Sequence, residues 1–102
     1  MNKTAIECQL EHLLKKQAER LCLWDFKQET SIDFKKKDIT IKVSCMYQGL
    51  GAFISFEFLS EISELLGTKK IDIRDQWYES GCETCDYGSS DNATILIRGA
   101  KI

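Results

Sequence analysis

Between Asp38 and Gln48 the chain alternates without a slip: Ile39, Ile41, Val43, Cys45 and Tyr47 on one side, Thr40, Lys42, Ser44 and Met46 on the other. A period of two predicts a strand with one buried face. The segment "QGLG" (48–51) follows with two glycines, the chemistry of a hairpin loop that needs positive φ. Ala52, Ile54, Phe56 and Phe58 then alternate with Phe53, Ser55 and Glu57, which predicts a partner strand and a central hairpin over 38–59. Upstream the period changes. Ile6, Leu10, Leu13, Leu14 and Leu21, with Ala18 beside them, recur at helical spacing and predict an amphipathic helix over 4–21. Thr4 with Glu7 fits a capping box at its start, and Lys15, Lys16 and Arg20 suit the dipole near its end.

The remaining elements are shorter. Ile32 and Phe34 alternate with polar neighbours over Thr30–Phe34, a first strand, and "KKKD" (35–38) is a polar turn. "SEISELLG" (60–67) predicts a short helix with Ser60 as its cap and Gly67 as its stop. Ile71 and Ile73 in "KKIDIRDQWY" and the segment "ATILIR" (93–98) predict two more strands, joined by a long loop. The expected fold is α+β. One long N-terminal helix packs on a mostly antiparallel sheet of four or five strands, with a short helix after the central hairpin.

Composition sets limits on that picture. The chain of 102 residues is expected to form a single domain over 1–102. No apolar run approaches the ~20 residues that a membrane span requires. Glu7, Gln9, Glu11 and His12 interrupt the apolar character of the N-terminal stretch, unlike the core of a signal peptide. Five cysteines, an odd number without regular spacing, do not make a secreted disulfide framework, so a reduced cytoplasmic setting is expected. A net charge of −2 argues against general nucleic-acid affinity, which normally rests on a basic surface.

Charge is unevenly placed. From Ile71 to Asp91, six acids (Asp72, Asp75, Glu79, Glu83, Asp86 and Asp91) face one base, Arg74, for a formal charge of −5. Such a run is either a solvated face or an acidic surface for a basic partner, and charge complementarity steers such encounters. Trp77, Tyr78 and Tyr87 lie within it, and aromatic side chains supply much of the binding energy at protein interfaces.

The loop "GCETCDYGSSD" (81–91) carries the most chemistry. Cys82 and Cys85 have the spacing with which two thiolates bind one Zn²⁺, but a structural site needs four ligands. Cys8 and His12, at i and i+4 on the first helix, are candidates for the rest, as are Cys22, Cys45 and nearby carboxylates; two chains pooling their pairs is another route. A redox role fits less well, because Glu83 and Asp86 raise a neighbouring thiol's pKa where a catalytic cysteine needs it lowered. The plainest reading makes both thiols small apolar residues in a tight loop. The single histidine has no nucleophile and acid arranged around it, "GLG" lacks a phosphate loop's context, and "DYGSSD" lacks the calcium-loop spacing, so no enzyme is expected.

The segment "GCETCDYGSS" resembles a group of small uncharacterised phage and prophage proteins that carry a Gly-Cys-x-Thr-Cys-Asp-Tyr-Gly-Ser motif before a last strand. The resemblance is confined to that segment and marks Gly81, Cys82, Thr84, Cys85, Asp86, Tyr87, Gly88 and Ser89. It implies a mobile-element setting and a small accessory protein, with no activity attached. By analogy of size, charge and setting, the expected function is non-enzymatic binding of a host protein with a basic surface, as an inhibitor of nucleic-acid-binding or defence machinery. Asp75, Glu79, Glu83, Asp86 and Asp91 would supply charge, and Trp77, Tyr78 and Tyr87 contact area. The alternative is a zinc-stabilised interaction module built on Cys82 and Cys85. A free sheet edge would also allow homo-oligomers.

Overall fold

The computed structural model describes residues 3–46, 50–79 and 90–101. Helix α1 (Lys3–Arg20) buries Ile6, Leu10, Leu14 and Ala18, one residue per turn, with Leu13 and Leu21 half-buried beside them. Its end is fixed locally. Leu23 N–H reaches Ala18 O (3.1 Å) and Cys22 N–H reaches Glu19 O (3.1 Å). With Cys22 left-handed at φ 54°, this pair of bonds is a Schellman motif, and Leu23 packs half-buried against the core.

Four strands follow: β1 (Trp24–Asp33), β2 (Asp38–Met46), β3 (Ile71–Glu79) and β4 (Ser90–Ile97), in the order β1-β2-β4-β3 with every neighbour antiparallel. The fold is the expected α+β arrangement, with helices gathered on one face of the sheet. Register builds the core in rows. Ile32, Ile39, Ile97 and Ile71 cross the sheet side by side, and Thr30, Ile41, Ile95 and Ile73 form the next row. Ile39, Ile41, Ile95 and Ile97 are fully buried, because β2 and β4 are the central strands. Both edge strands are bulged, β1 between Trp24 and Lys27 and β3 between Arg74 and Trp77. Bulges of this kind blunt an open edge.

The central hairpin differs from expectation. It is β1–β2, turned over 34–37, where the Asp33 carboxylate accepts the N–H groups of Lys35 (3.0 Å) and Lys36 (3.2 Å). The segment assigned to a partner strand is helical instead: α2 (Leu50–Phe53) and α3 (Phe56–Leu66). Phe53 and Phe58 are fully buried while Ala52 and Phe56 are exposed, Phe56 at 83%. Ser55, not Ser60, caps α3, its hydroxyl accepting the Phe58 N–H at 3.2 Å. Burial of Phe58, Ile62 and Leu66 at i, i+4 and i+8 outweighs the strand-like alternation. Gly67 ends α3 as expected, in the left-handed conformation at φ 66°, with its N–H on Ser63 O (2.8 Å). Glycine is needed there because any side chain would be strained and would meet Lys101. The "QGLG" turn lies partly outside the described residues, and Leu50 already opens α2. Helix α1 begins at Lys3, one residue before the expected cap; the Thr4 side chain is outside the described set.

One cluster joins these layers. The Phe53 ring lies 5.1 Å from Phe26 on β1 and 4.9 Å from Phe58 on α3, both tilted. Offset and tilted aromatic pairs of this kind add to simple burial. Gln17, a polar side chain in the buried stripe of α1, donates to Phe53 O at 3.2 Å and accepts from Arg20 at 2.5 Å. Thr68 donates to Arg98 O at 2.7 Å. Every buried side-chain polar atom among the described residues has a partner. Among the described residues, no helix is long and apolar enough to cross a membrane.

Candidate functional site: the acidic hairpin

The two ends of the acidic run lie on paired strands. Strands β3 and β4 pair from Ile71↔Ile97 through Ile73↔Ile95 to Glu79↔Ser90. Residues 72–91 are therefore the two arms of a hairpin and the segment that connects them. One arm, β3, is an edge strand; the other is central, so the hairpin sits at one side of the sheet. Alternation assigns the faces. Ile71 and Ile73 point to the helices, half-buried, and Asp72 and Arg74 are exposed on the open face. The bulge after Arg74 resets this alternation, so register places Trp77 opposite Asn92, Tyr78 opposite Asp91, and Glu79 opposite Ser90.

Of the sequence-predicted residues, Asp75, Trp77, Tyr78 and Glu79 fall on β3 by backbone, and their side chains lie outside the described set. Cys82, Glu83, Cys85, Asp86 and Tyr87 lie outside the described residues altogether, so the proposed zinc pair does too. Asp91 is described, and it has an internal role. It is half-buried on the inner face across from Cys45, and its Oδ2 accepts the Leu50 N–H at 3.1 Å. That bond ties the start of α2 to the start of β4. Burial, and then the Asp91 carboxylate beside it, push the Cys45 thiol above its ordinary value, so Cys45 is held as the neutral thiol.

Cys8 and His12 do share an exposed face of α1, as their spacing predicts, but they border α3. With Leu13, Glu61, Glu64 and Leu65 they line a groove of about 600 Å³. Among the described residues no group of three or more His, Cys, Asp or Glu side chains is arranged to hold a metal ion. The groove was not legible from the sequence, because its second wall is the helix that the alternation of 52–58 partly disguised. The usable signal was Ser55 three residues before Phe58, a cap followed by an apolar helical position.

The opposite side of the sheet carries its own exposed chemistry. Trp24 is 70% exposed at one end of β1 and Phe34 is 43% exposed just beyond the other. Lys27 and Asp25 form a solvent-exposed pair at 3.7 Å beside the β1 bulge. No protein-family model, curated protein or solved structure matches the chain.

Proposed function

We propose that the protein is a small, non-enzymatic accessory protein of the phage or prophage type. It acts in the cytoplasm by binding a host protein through the acidic hairpin 72–91. The observation that carries this reading is the pairing of β3 with β4, which brings Asp72, Asp75, Glu79 and Asp91, with one base, Arg74, onto two adjacent strands at one side of the sheet. Collected charge steers a basic partner far more effectively than the same charge spread over a surface. The surface it fits is the basic groove of a nucleic-acid-binding or defence protein, which an acidic hairpin would occupy in place of nucleic acid. Asp75, Glu79, Glu83 and Asp86 supply the field, and Trp77, Tyr78 and Tyr87 the contact area. Asp91 contributes chiefly by holding the root of the hairpin, given its bond to Leu50.

The test is affinity capture from bacterial extract with the full chain, followed by titration of the purified partner. Reversing charge at Asp75, Glu79 and Glu83 (each to Lys) is expected to abolish capture while the circular dichroism spectrum and melting stay unchanged. Binding should also weaken steeply with salt. Undiminished binding by the folded triple variant would refute the acidic-hairpin reading.

A further inference from the structure

We propose that β1 pairs antiparallel with β1 of a second copy of this chain, joining two four-stranded sheets into one of eight strands. β1 is an edge strand, and among the described residues nothing pairs with its outer side. Its bulge lies at one end, between Trp24 and Lys27, and leaves Lys27–Asp33 in unbroken register with β2. The other edge, β3, keeps only Ile71–Arg74 regular before its own bulge. A long, regular edge without proline is the kind that templates pairing with another strand.

The sequence of β1 selects both the partner and the register. Opposed residues in an antiparallel pair have backbone groups that both face each other or both face away. Because this alternates along the strand, a two-fold axis must pass at a residue, not between residues. Three centres pair five or more residues of the regular stretch: Glu29, Thr30 and Ser31. Centring at Glu29 sets that carboxylate against its own copy, and centring at Ser31 sets Glu29 against Asp33. Centring at Thr30 pairs all seven residues and sets Lys27 against Asp33 twice, Glu29 against Ser31 twice, and Thr30 against Thr30. No like charges stand directly opposite each other.

That register also covers exposed apolar surface. It brings Phe34, one residue beyond the strand, to the end of the other copy's strand where Phe26 and Trp24 lie. Two of the three large apolar side chains exposed among the described residues, Trp24 and Phe34, thus sit at the ends of the same joint. Lys27 is exposed, and its contact with Asp25 at 3.7 Å is of the weak surface kind, so it is available for pairing across the joint.

Sedimentation of the full chain at about 100 μM, well above the μM range of an ordinary specific complex, is expected to give the mass of two chains. Lys27→Glu puts like charges opposite each other at both symmetric positions and is expected to weaken the dimer by about tenfold or more. Register is read by cross-linking, with Cys8, Cys22, Cys82 and Cys85 changed to Ser. Thr30→Cys places two Cα atoms about 4.5–5.5 Å apart, within disulfide reach, and is expected to oxidise rapidly to a covalent dimer. Glu29→Cys, displaced diagonally beyond about 7 Å, is expected not to. A chain that stays monomeric at that concentration overturns the proposal. So does a dimer indifferent to Lys27→Glu, or one in which Thr30→Cys cross-links no faster than Glu29→Cys. If Lys27→Glu fails to fold, the cross-linking comparison decides alone.

Discussion

Asp91 separates structural from functional charge in the hairpin. Its Oδ2 accepts the Leu50 N–H at 3.1 Å, across forty-one residues of sequence. Asp91→Ala removes the acceptor and leaves a partly buried N–H without it. A hydrogen bond to a charged group contributes about 1.5–3 kcal/mol. The carboxylate is only half-buried and water can replace part of the bond, so the lower figure, about 1.5 kcal/mol, is appropriate here. For a domain of this size each kcal/mol moves the melting temperature by about 4–8 °C, which predicts a fall of about 6–12 °C. Asp91→Asn keeps an oxygen acceptor and loses only the charge, so its loss should be about half as large. Thermal melts and urea titrations monitored by circular dichroism, with unchanged m-values, measure both. A stability for Asp91→Ala within about 0.5 kcal/mol of the parent, a difference typical of inert surface substitutions, would refute a structural role for this bond. Five acids of the hairpin remain in this variant, so partner capture should survive at temperatures where the domain is folded.

Three further outcomes follow from local geometry. Gln17→Ala breaks the bond to Phe53 O and leaves a small void, at a cost of about 2–3 kcal/mol in urea unfolding; a cost below about 0.5 kcal/mol would show the carbonyl finds water instead. Cys22→Gly relieves about 1–2 kcal/mol of left-handed strain at φ 54° and adds about 0.5–1 kcal/mol of unfolded-state entropy, so it should stabilise by about 0.5–1 kcal/mol. A lowered melting temperature would contradict that account. The Cys45 thiol, raised by burial and by Asp91, keeps its proton at a pH where the unfolded chain has lost it. Its contribution is complete below the ordinary thiol value of 9.0 and declines as pH rises from there towards the folded pKa. Stability should therefore fall more steeply above about pH 9 in the parent than in Cys45→Ala, and parallel slopes would dispose of the effect.

The sequence was most legible where one period stood alone. Ile6, Leu10, Leu14 and Ala18 fit only a helix, and Ile39, Ile41, Val43 and Cys45 fit only a strand. It was misleading where two periods overlapped. Phe58 satisfies both the alternation through Ile54 and Phe56 and the helical series through Ile62 and Leu66, and burial of Phe53 decides between them. Strand β1 was expected only over Thr30–Phe34, and its first part, 24–29, was hidden for another reason. Its inward positions include Gln28 and Thr30, which bond to each other at 2.8 Å and need no apolar side chain at an edge. For the candidate site, the charge run was visible in the sequence but its gathering was not. That depends on β4 inserting between β2 and β3, a choice made by tertiary packing of Ala93, Ile95 and Ile97.

The two proposed surfaces occupy opposite edges of one sheet and share no residue. A dimer joined through β1 has the strand order β3-β4-β2-β1, then the same in reverse. At about 4.8 Å per strand spacing, its two β3 edges lie roughly 34 Å apart. Each acidic hairpin is then as far from its copy as the sheet allows, which minimises their mutual repulsion in a chain whose net charge is already negative. Such a dimer offers two equivalent hairpins to partners that are themselves repeated, and linked sites bind more tightly together than either does alone. Lys27→Glu should therefore lower the avidity for an immobilised, crowded partner while leaving the affinity for a single soluble partner unchanged. Charge reversal on β3 should do the opposite, removing affinity while leaving the dimer intact. If both variants instead lose the same property, the two surfaces are one, and β1 belongs to the partner-binding site.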